Sequence, residues 1–164
     1  MYIQERFSMH IYVHIPFCES ICSYCDFFRV KDTGNLKEKF IASLKKEKEL
    51  YSFSNVSTIY IGGGTPSSLT KNELDEVLSL FDMYNPLEYT LEANPDSLSK
   101  EKIKIIKKHG INRISLGVQT LDENILKLLN RKHTIDDVKR VIHELHEEGI
   151  HNISIDMMYG LPYQ

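Results

Sequence analysis

The chain has 164 residues, of which 41% are hydrophobic and 26% charged, and a formal net charge of −3. That is enough chain for one core and one domain, and too apolar for disorder. Acidic and basic residues are interspersed, which leaves no electrostatic footprint for nucleic acid. No apolar run reaches the length of a membrane span, and the N-terminus lacks a signal-peptide core.

Residues 1–9 read as a short N-terminal leader. His10–Ile15 alternates apolar side chains up to Pro16 and predicts a strand that ends where a cysteine-rich loop begins. Asn35 with Glu38 three residues on predicts a capping box, followed by a helix with Leu36, Phe40, Leu44 and Tyr51 along one stripe. Val56–Ile61 is rich in β-branched residues and predicts a strand stopped by a turn at Gly62-Gly63-Gly64. Thr70-x-x-Glu73 is a second capping box, with Leu74, Val77, Leu78 and Phe81 at helical spacing behind it.

Tyr89–Leu91 runs into Glu92-Ala93-Asn94-Pro95 as a third strand. Ser99 caps the next helix, Leu98 and Ile103 occupy staple positions, and Gly110 stops it. Ile111–Val118 predicts strand four. A short helix from Asp122 and a longer one from Thr134-x-x-Asp137, carrying Val138, Val141, Ile142 and Leu145, lead to a fifth strand at Ile150–Tyr159. Strand–helix alternation with short connections predicts α/β architecture, parallel strands and right-handed crossovers.

Cys18, Cys22 and Cys25 are the only three cysteines in the chain and lie in one loop. An odd number in so short a stretch excludes a disulfide framework. With His10 or His14 they could form a Cys3His zinc site, although structural zinc sites usually join two ligand pairs and no second pair exists here. Alternatively, three thiolates hold a [4Fe–4S] cube and leave one iron open to a small molecule. Free thiols without a secretory segment point to a reducing cytoplasm.

Chemistry in parallel α/β folds sits on the loops after the strands. The cysteines follow strand one and the glycines strand two. Glu92 ends strand three, Gln119 ends strand four, and Asp156 lies near the end of strand five. Five separate segments thus bring their least core-like residues to one rim. In isolation Gly62–Gly64 could be a plain turn, Glu92 a solvated carboxylate, Arg131 surface charge, and His14 and His133 hydrogen-bonded core histidines.

Cys18-x3-Cys22-x2-Cys25, with Tyr24 before the last cysteine, resembles the signature of radical S-adenosylmethionine (SAM) enzymes. Tyr12-x-His14-Ile15-Pro16-Phe17-Cys18 narrows the resemblance to the oxygen-independent coproporphyrinogen III oxidase family. Asp26-Phe27 after Cys25, in place of Gly and a fourth cysteine, is similar to the HemW heme-chaperone branch, as is His133 after Arg131. The resemblance covers residues 10–164.

It implies a partial (β/α) barrel of the radical SAM type, here cut short after strand five with the family's C-terminal domain absent. Exposed strand edges would then invite association. It further implies a cluster on Cys18, Cys22 and Cys25, and SAM held by Tyr12, Tyr24, Gly63, Gly64, Thr65, Glu92, Gln119, Arg131 and Asp156. Arg131 would be a carboxylate clamp and Asp156 a ribose ligand. His14 and His133 are left outside the ligand set.

The implied function is a heme chaperone that delivers heme to respiratory proteins, on a domain capable of reductive SAM cleavage and served by an electron donor. Heme would bind in the full-length protein. The alternatives are oxidative decarboxylation of coproporphyrinogen III and a structural zinc domain.

Overall fold

A computed structural model describes residues 8–31 and 34–164. Most of residues 1–9, the expected leader, therefore lies outside the described residues, and Met9 already opens the first strand. Five strands form one parallel sheet: β1 (Met9–Ile15), β4 (Val56–Gly63), β5 (Glu88–Ala93), β6 (Arg113–Gln119) and β7 (Asn152–Met157), in that spatial order. Between β1 and β4, the short strands β2 (Phe17–Cys18) and β3 (Val30–Lys31) form a separate parallel pair that bounds the cysteine loop. Helices α1 (Leu36–Glu49), α2 (Lys71–Ser79), α3 (Lys100–Lys108), α4 (Glu123–Leu128) and α5 (Ile135–Glu147) lie in the crossovers.

Spatial order in this sheet follows chain order and never reverses. Right-handed crossovers then deposit every helix on the same face, as in a barrel rather than a doubly wound sheet. Side-chain alternation agrees. Ile59, Ile61, Leu91, Ile114 and Leu116 are buried on the helix face with Leu74, Val77, Leu78, Ile103, Ile106, Val141 and Leu145. The opposite face carries Tyr12, Tyr60, Glu92, Ser115, Gly117 and Asp156. In register, Tyr12 lies beside Tyr60, Glu92 beside Ser115, and Gly117 beside Asp156. A parallel strand covered on both faces reads as one apolar run; these strands alternate because one face is a polar lumen. The fold is a partial (β/α) barrel.

Local signals set most of the helix starts. The boxes at Thr70–Glu73 and Thr134–Asp137 both form, Ser99 accepts from the Lys102 amide, and Asp122 accepts from the Asn124 and Ile125 amides. Leu98 and Ile103 are both fully buried. Asn35 is a correction. It precedes α1 with φ −107 and makes no side-chain cap; only its carbonyl is used, by the Lys39 amide. The expected stripe on α1 holds in part: Phe40 and Leu44 pack against the core beside the buried Ile41, whereas Leu36 and Tyr51 are exposed and Tyr51 lies past the helix end. β4 runs through Gly62 and Gly63, so the triplet is strand before it is turn. Among the described residues no helix is long and apolar enough to cross a membrane.

Removing one cap is a clean test of α5. The Asp137 carboxyl is held below its ordinary range, chiefly by the Thr134 backbone amide. A depressed carboxylate adds stability above its unfolded-state value, near pH 4, and loses it as pH falls through the lower folded-state value. Thr134→Ala is expected to cost about 1 kcal/mol in urea denaturation at neutral pH. Asp137→Asn, which removes the titrating carboxylate itself, should flatten the fall in stability below pH 4.

Candidate cofactor site

All three cysteines and the ends of five strands meet around one cavity of about 380 Å³, a size suited to a single small-molecule ligand. Its wall includes Cys18, Cys22, Cys25, Gly63, Gly64, Thr65, Glu92, Gln119, Arg131 and Asp156, together with Tyr12 and Tyr24. Every residue expected to hold the cluster or SAM therefore lines the same space, although they come from five different strands and the loops that follow them.

The cysteine loop is anchored from a distance in sequence. The Ser23 amide donates to the Leu129 carbonyl at 3.3 Å, and Asn130 Nδ2 donates to the Ile21 carbonyl at 2.8 Å. The end of α4 thus supports the loop, with Asn130 in the left-handed region at φ 57 to make the turn. Arg131, next in chain, turns inward. Its Nη2 donates to Asn94 Oδ1 at 2.9 Å and to the Gly117 carbonyl, and Nη1 reaches Cys22 Sγ at 3.6 Å. One guanidinium ties together the cysteine loop, the loop after β5 and β6. Its Nε is buried and unpaired, as is that of Arg29, another residue of the cavity wall.

Cys18 is buried, its Sγ 3.4 Å from Thr65 Oγ1, and burial pushes its thiol up. Burial likewise pushes the Tyr24 phenol up to about 12, opposed by the Arg131 charge. Among the described residues no group of three or more His, Cys, Asp or Glu is set to hold one metal ion. A Cys3His zinc site is thus not preformed. A cube, whose corners take one thiolate each, needs no such convergence. Three thiols, a ligand-sized cavity beside them and two cations with unmet donors fit an anionic cluster and a carboxylate-bearing ligand.

His10, His14 and His133 each hydrogen-bond within the protein, His10 Nδ1 to Thr58 Oγ1 at 2.8 Å. His14 Nε2 donates to the Phe28 carbonyl at 3.0 Å, and its Nδ1 accepts from Tyr12 at 3.0 Å. His133 is buried with Nε2 donating to the Val118 carbonyl at 3.2 Å, which leaves Nδ1 unpartnered.

Gly63, Gly64 and Thr65 line the cavity while their amides are bonded within the protein. The Gly64 amide donates to the Ile15 carbonyl at 2.7 Å and the Thr65 amide to the Phe17 carbonyl at 2.8 Å. The Gly63 amide donates to Glu92 Oε2 at 3.0 Å. These amides are thus committed to the protein; a Cβ would meet the Glu92 and Tyr60 side chains at Gly62, the His14 ring at Gly63 and the Pro16–Phe17 backbone at Gly64.

Four residues at the site carry no role in the sequence reading. Tyr60 donates to Glu92 Oε1 at 2.7 Å; Ser115 donates to Asp156 at 3.2 Å; Asn94 receives Arg131; Ser67 accepts from the Asn94 amide at 3.0 Å. Three were within reach of the pattern. Stepping back by two from Gly62 reaches Tyr60, forward by two from Glu92 reaches Asn94, and back by two from Gly117 reaches Ser115.

Residues 12–164 match the family model described as the Radical SAM superfamily. The chain belongs to that superfamily. Among relatives, the heme chaperone HemW of Lactococcus lactis is 44% identical over 157 residues, covering 93% of this chain and 41% of that protein. HemW of Bacillus subtilis is 41% identical, with 93% and 43% covered. The oxygen-independent coproporphyrinogen-III oxidase-like protein HemZ of Bacillus subtilis is 34% identical, with 93% and 33% covered.

Among solved structures, the radical SAM enzyme coproporphyrinogen III oxidase (HemN) of Escherichia coli superposes with a TM-score of 0.87 at 26% identity. That match covers 96% of this chain and 38% of HemN. The chain spans less than half the length of these relatives. As a radical SAM domain it is of a kind that carries a [4Fe–4S] cluster and SAM.

Proposed function

We propose that residues 10–164 hold a [4Fe–4S] cluster on Cys18, Cys22 and Cys25 and bind SAM in the adjoining cavity. The observation that carries this reading is the convergence of three thiols and nine expected ligand contacts on one wall. Held by the Cys18, Cys22 and Cys25 thiolates, such a cluster would supply the single electron for reductive cleavage of the SAM sulfonium.

The chain's own residues do the rest. Glu92 and Asp156 offer carboxylates to the amino and ribose groups, Arg131 and Arg29 supply positive charge, and Gln119 closes the β6 end. Gly63, Gly64 and Thr65 form the floor, and Tyr12 and Tyr24 add to the wall.

At the level of the whole protein, the reading is a heme chaperone of the HemW type that hands heme to respiratory proteins in a reducing cytoplasm, fed by an electron donor. Asp26-Phe27 after Cys25 and the 44% and 41% identities to HemW proteins support it. A second reading, coproporphyrinogen oxidation, draws support from the TM-score of 0.87 to HemN. Anaerobic formation of protoporphyrinogen would select that reading, and stoichiometric heme binding without turnover the first.

Anaerobic reconstitution of the chain tests the cofactor reading. The expected product is brown, contains iron and acid-labile sulfide, and changes its reduced-state electron paramagnetic resonance spectrum when SAM is added. Cys22→Ala is expected to lose the cluster altogether. Stoichiometric zinc without sulfide, or a spectrum indifferent to SAM, would overturn the proposal.

A further inference from the structure

Glu92 lines the cavity, whereas its hydrogen-bond donor Tyr60 does not. Tyr60 lies on β4, half-buried, with its ring stacked on Tyr12 at 6.0 Å and its hydroxyl 2.7 Å from Glu92 Oε1. The second carboxylate oxygen accepts the Gly63 amide at 3.0 Å. Glu92 is therefore gripped at both oxygens from behind. Each oxygen can accept more than one hydrogen bond, so capacity remains on the cavity side.

Gly62 makes this grip possible. A Cβ there would stand 2.8 Å from Glu92 Cδ and 2.8 Å from Tyr60 Cε1. The strand lacks a side chain at the one place where phenol and carboxylate must meet.

We propose that Tyr60 is a positioning residue that fixes the Glu92 carboxylate for the amino group of a cationic ligand in the cavity, with Gly62 keeping their approach open. This deepens the SAM-binding reading and rests on it. A hydrogen bond to a charged acceptor is stronger than one between neutral groups, and its loss frees Glu92 to rotate away. Tyr60→Phe keeps the ring, its burial and the stack on Tyr12, and removes only the oxygen.

Equilibrium dialysis of labelled SAM against the cluster-loaded protein tests the proposal as a double-mutant cycle with Glu92→Gln. Tyr60→Phe is expected to weaken binding about tenfold while the urea midpoint of the ligand-free protein stays near wild type. In the Glu92→Gln background, the same change should have no further effect. Additive losses would mean that Tyr60 touches the ligand itself, and would overturn the proposal. Wild-type affinity in Tyr60→Phe with weakened Glu92→Gln would overturn it too, leaving the SAM reading intact. Wild-type affinity in Glu92→Gln would remove Glu92 from the site and the proposal with it. Gly62→Ala is a second route to the same end, since it displaces the pair without deleting the phenol, and should weaken binding comparably. Unaltered affinity in that variant would count against the proposal.

Discussion

Gly64→Ala is expected to destabilise the chain by about 3 kcal/mol or more, combining steric overpacking with the loss of two backbone hydrogen bonds. A Cβ at Gly64 would lie 2.7 Å from the Phe17 carbonyl oxygen and 2.8 Å from the Pro16 carbonyl carbon. Both are backbone atoms of the segment entering the cysteine loop, and no rotamer change relieves them. The Gly64 and Thr65 amides would have to leave the Ile15 and Phe17 carbonyls, which separates the loop after β4 from the strand that delivers Cys18. Gly110→Ala is the control. It occupies φ +82 with no atom within 4 Å of its would-be Cβ, so it should cost only about 1 kcal/mol of backbone strain. Urea denaturation of the two variants separates a clash from a conformational preference.

Gly64 also shows what a sequence can and cannot disclose. The triplet announces that something approaches closely, and adjacency to a strand end says where. It does not say whether the visitor is a ligand or the Pro16–Phe17 backbone, because that depends on how β1 and β4 are offset. The strands, their parallel order and the polar rim were legible because alternation and strand–turn–helix punctuation are local. The caps at Thr70, Ser99, Asp122 and Thr134 were legible for the same reason.

Asn35 misled because an Asn followed by Glu is compatible with a box but does not force the extended backbone that a box needs. Tyr60 was passed over because tyrosine is common in strands, and its hydroxyl acquires meaning only once Glu92, thirty-two residues on, is seen beside it. Support of the cysteine loop by Leu129 and Asn130 joins segments more than a hundred residues apart, and no periodicity reports that.

Arg131 is where the long-range organisation can be broken with a single change. The family resemblance implies a clamp for a ligand carboxylate; the structure adds that its Nη groups already bind Asn94, the Gly117 carbonyl and Cys22 Sγ. Arg131→Met retains much of the aliphatic stem but no donor. It leaves the Gly117 carbonyl and Asn94 Oδ1 without their guanidinium and removes a side chain that bridges the cysteine loop, the loop after β5 and β6. Loss of hydrogen bonds from a charged donor is worth about 1.5–3 kcal/mol each, and partial solvation of this half-buried site brings the total to about 2–4 kcal/mol.

Arg131→Lys keeps the charge but, as a point donor, cannot span acceptors on three segments, and it should recover less than half of that loss. Hydrogen exchange gives a local readout. The Ser23 amide, bonded to the Leu129 carbonyl just upstream of Arg131, should lose protection in Arg131→Met, whereas the Leu91 and Leu116 amides in the sheet centre should track only the global change. If Ser23 stayed as protected as those strands, the guanidinium would not be what holds the cysteine loop against the rest of the barrel.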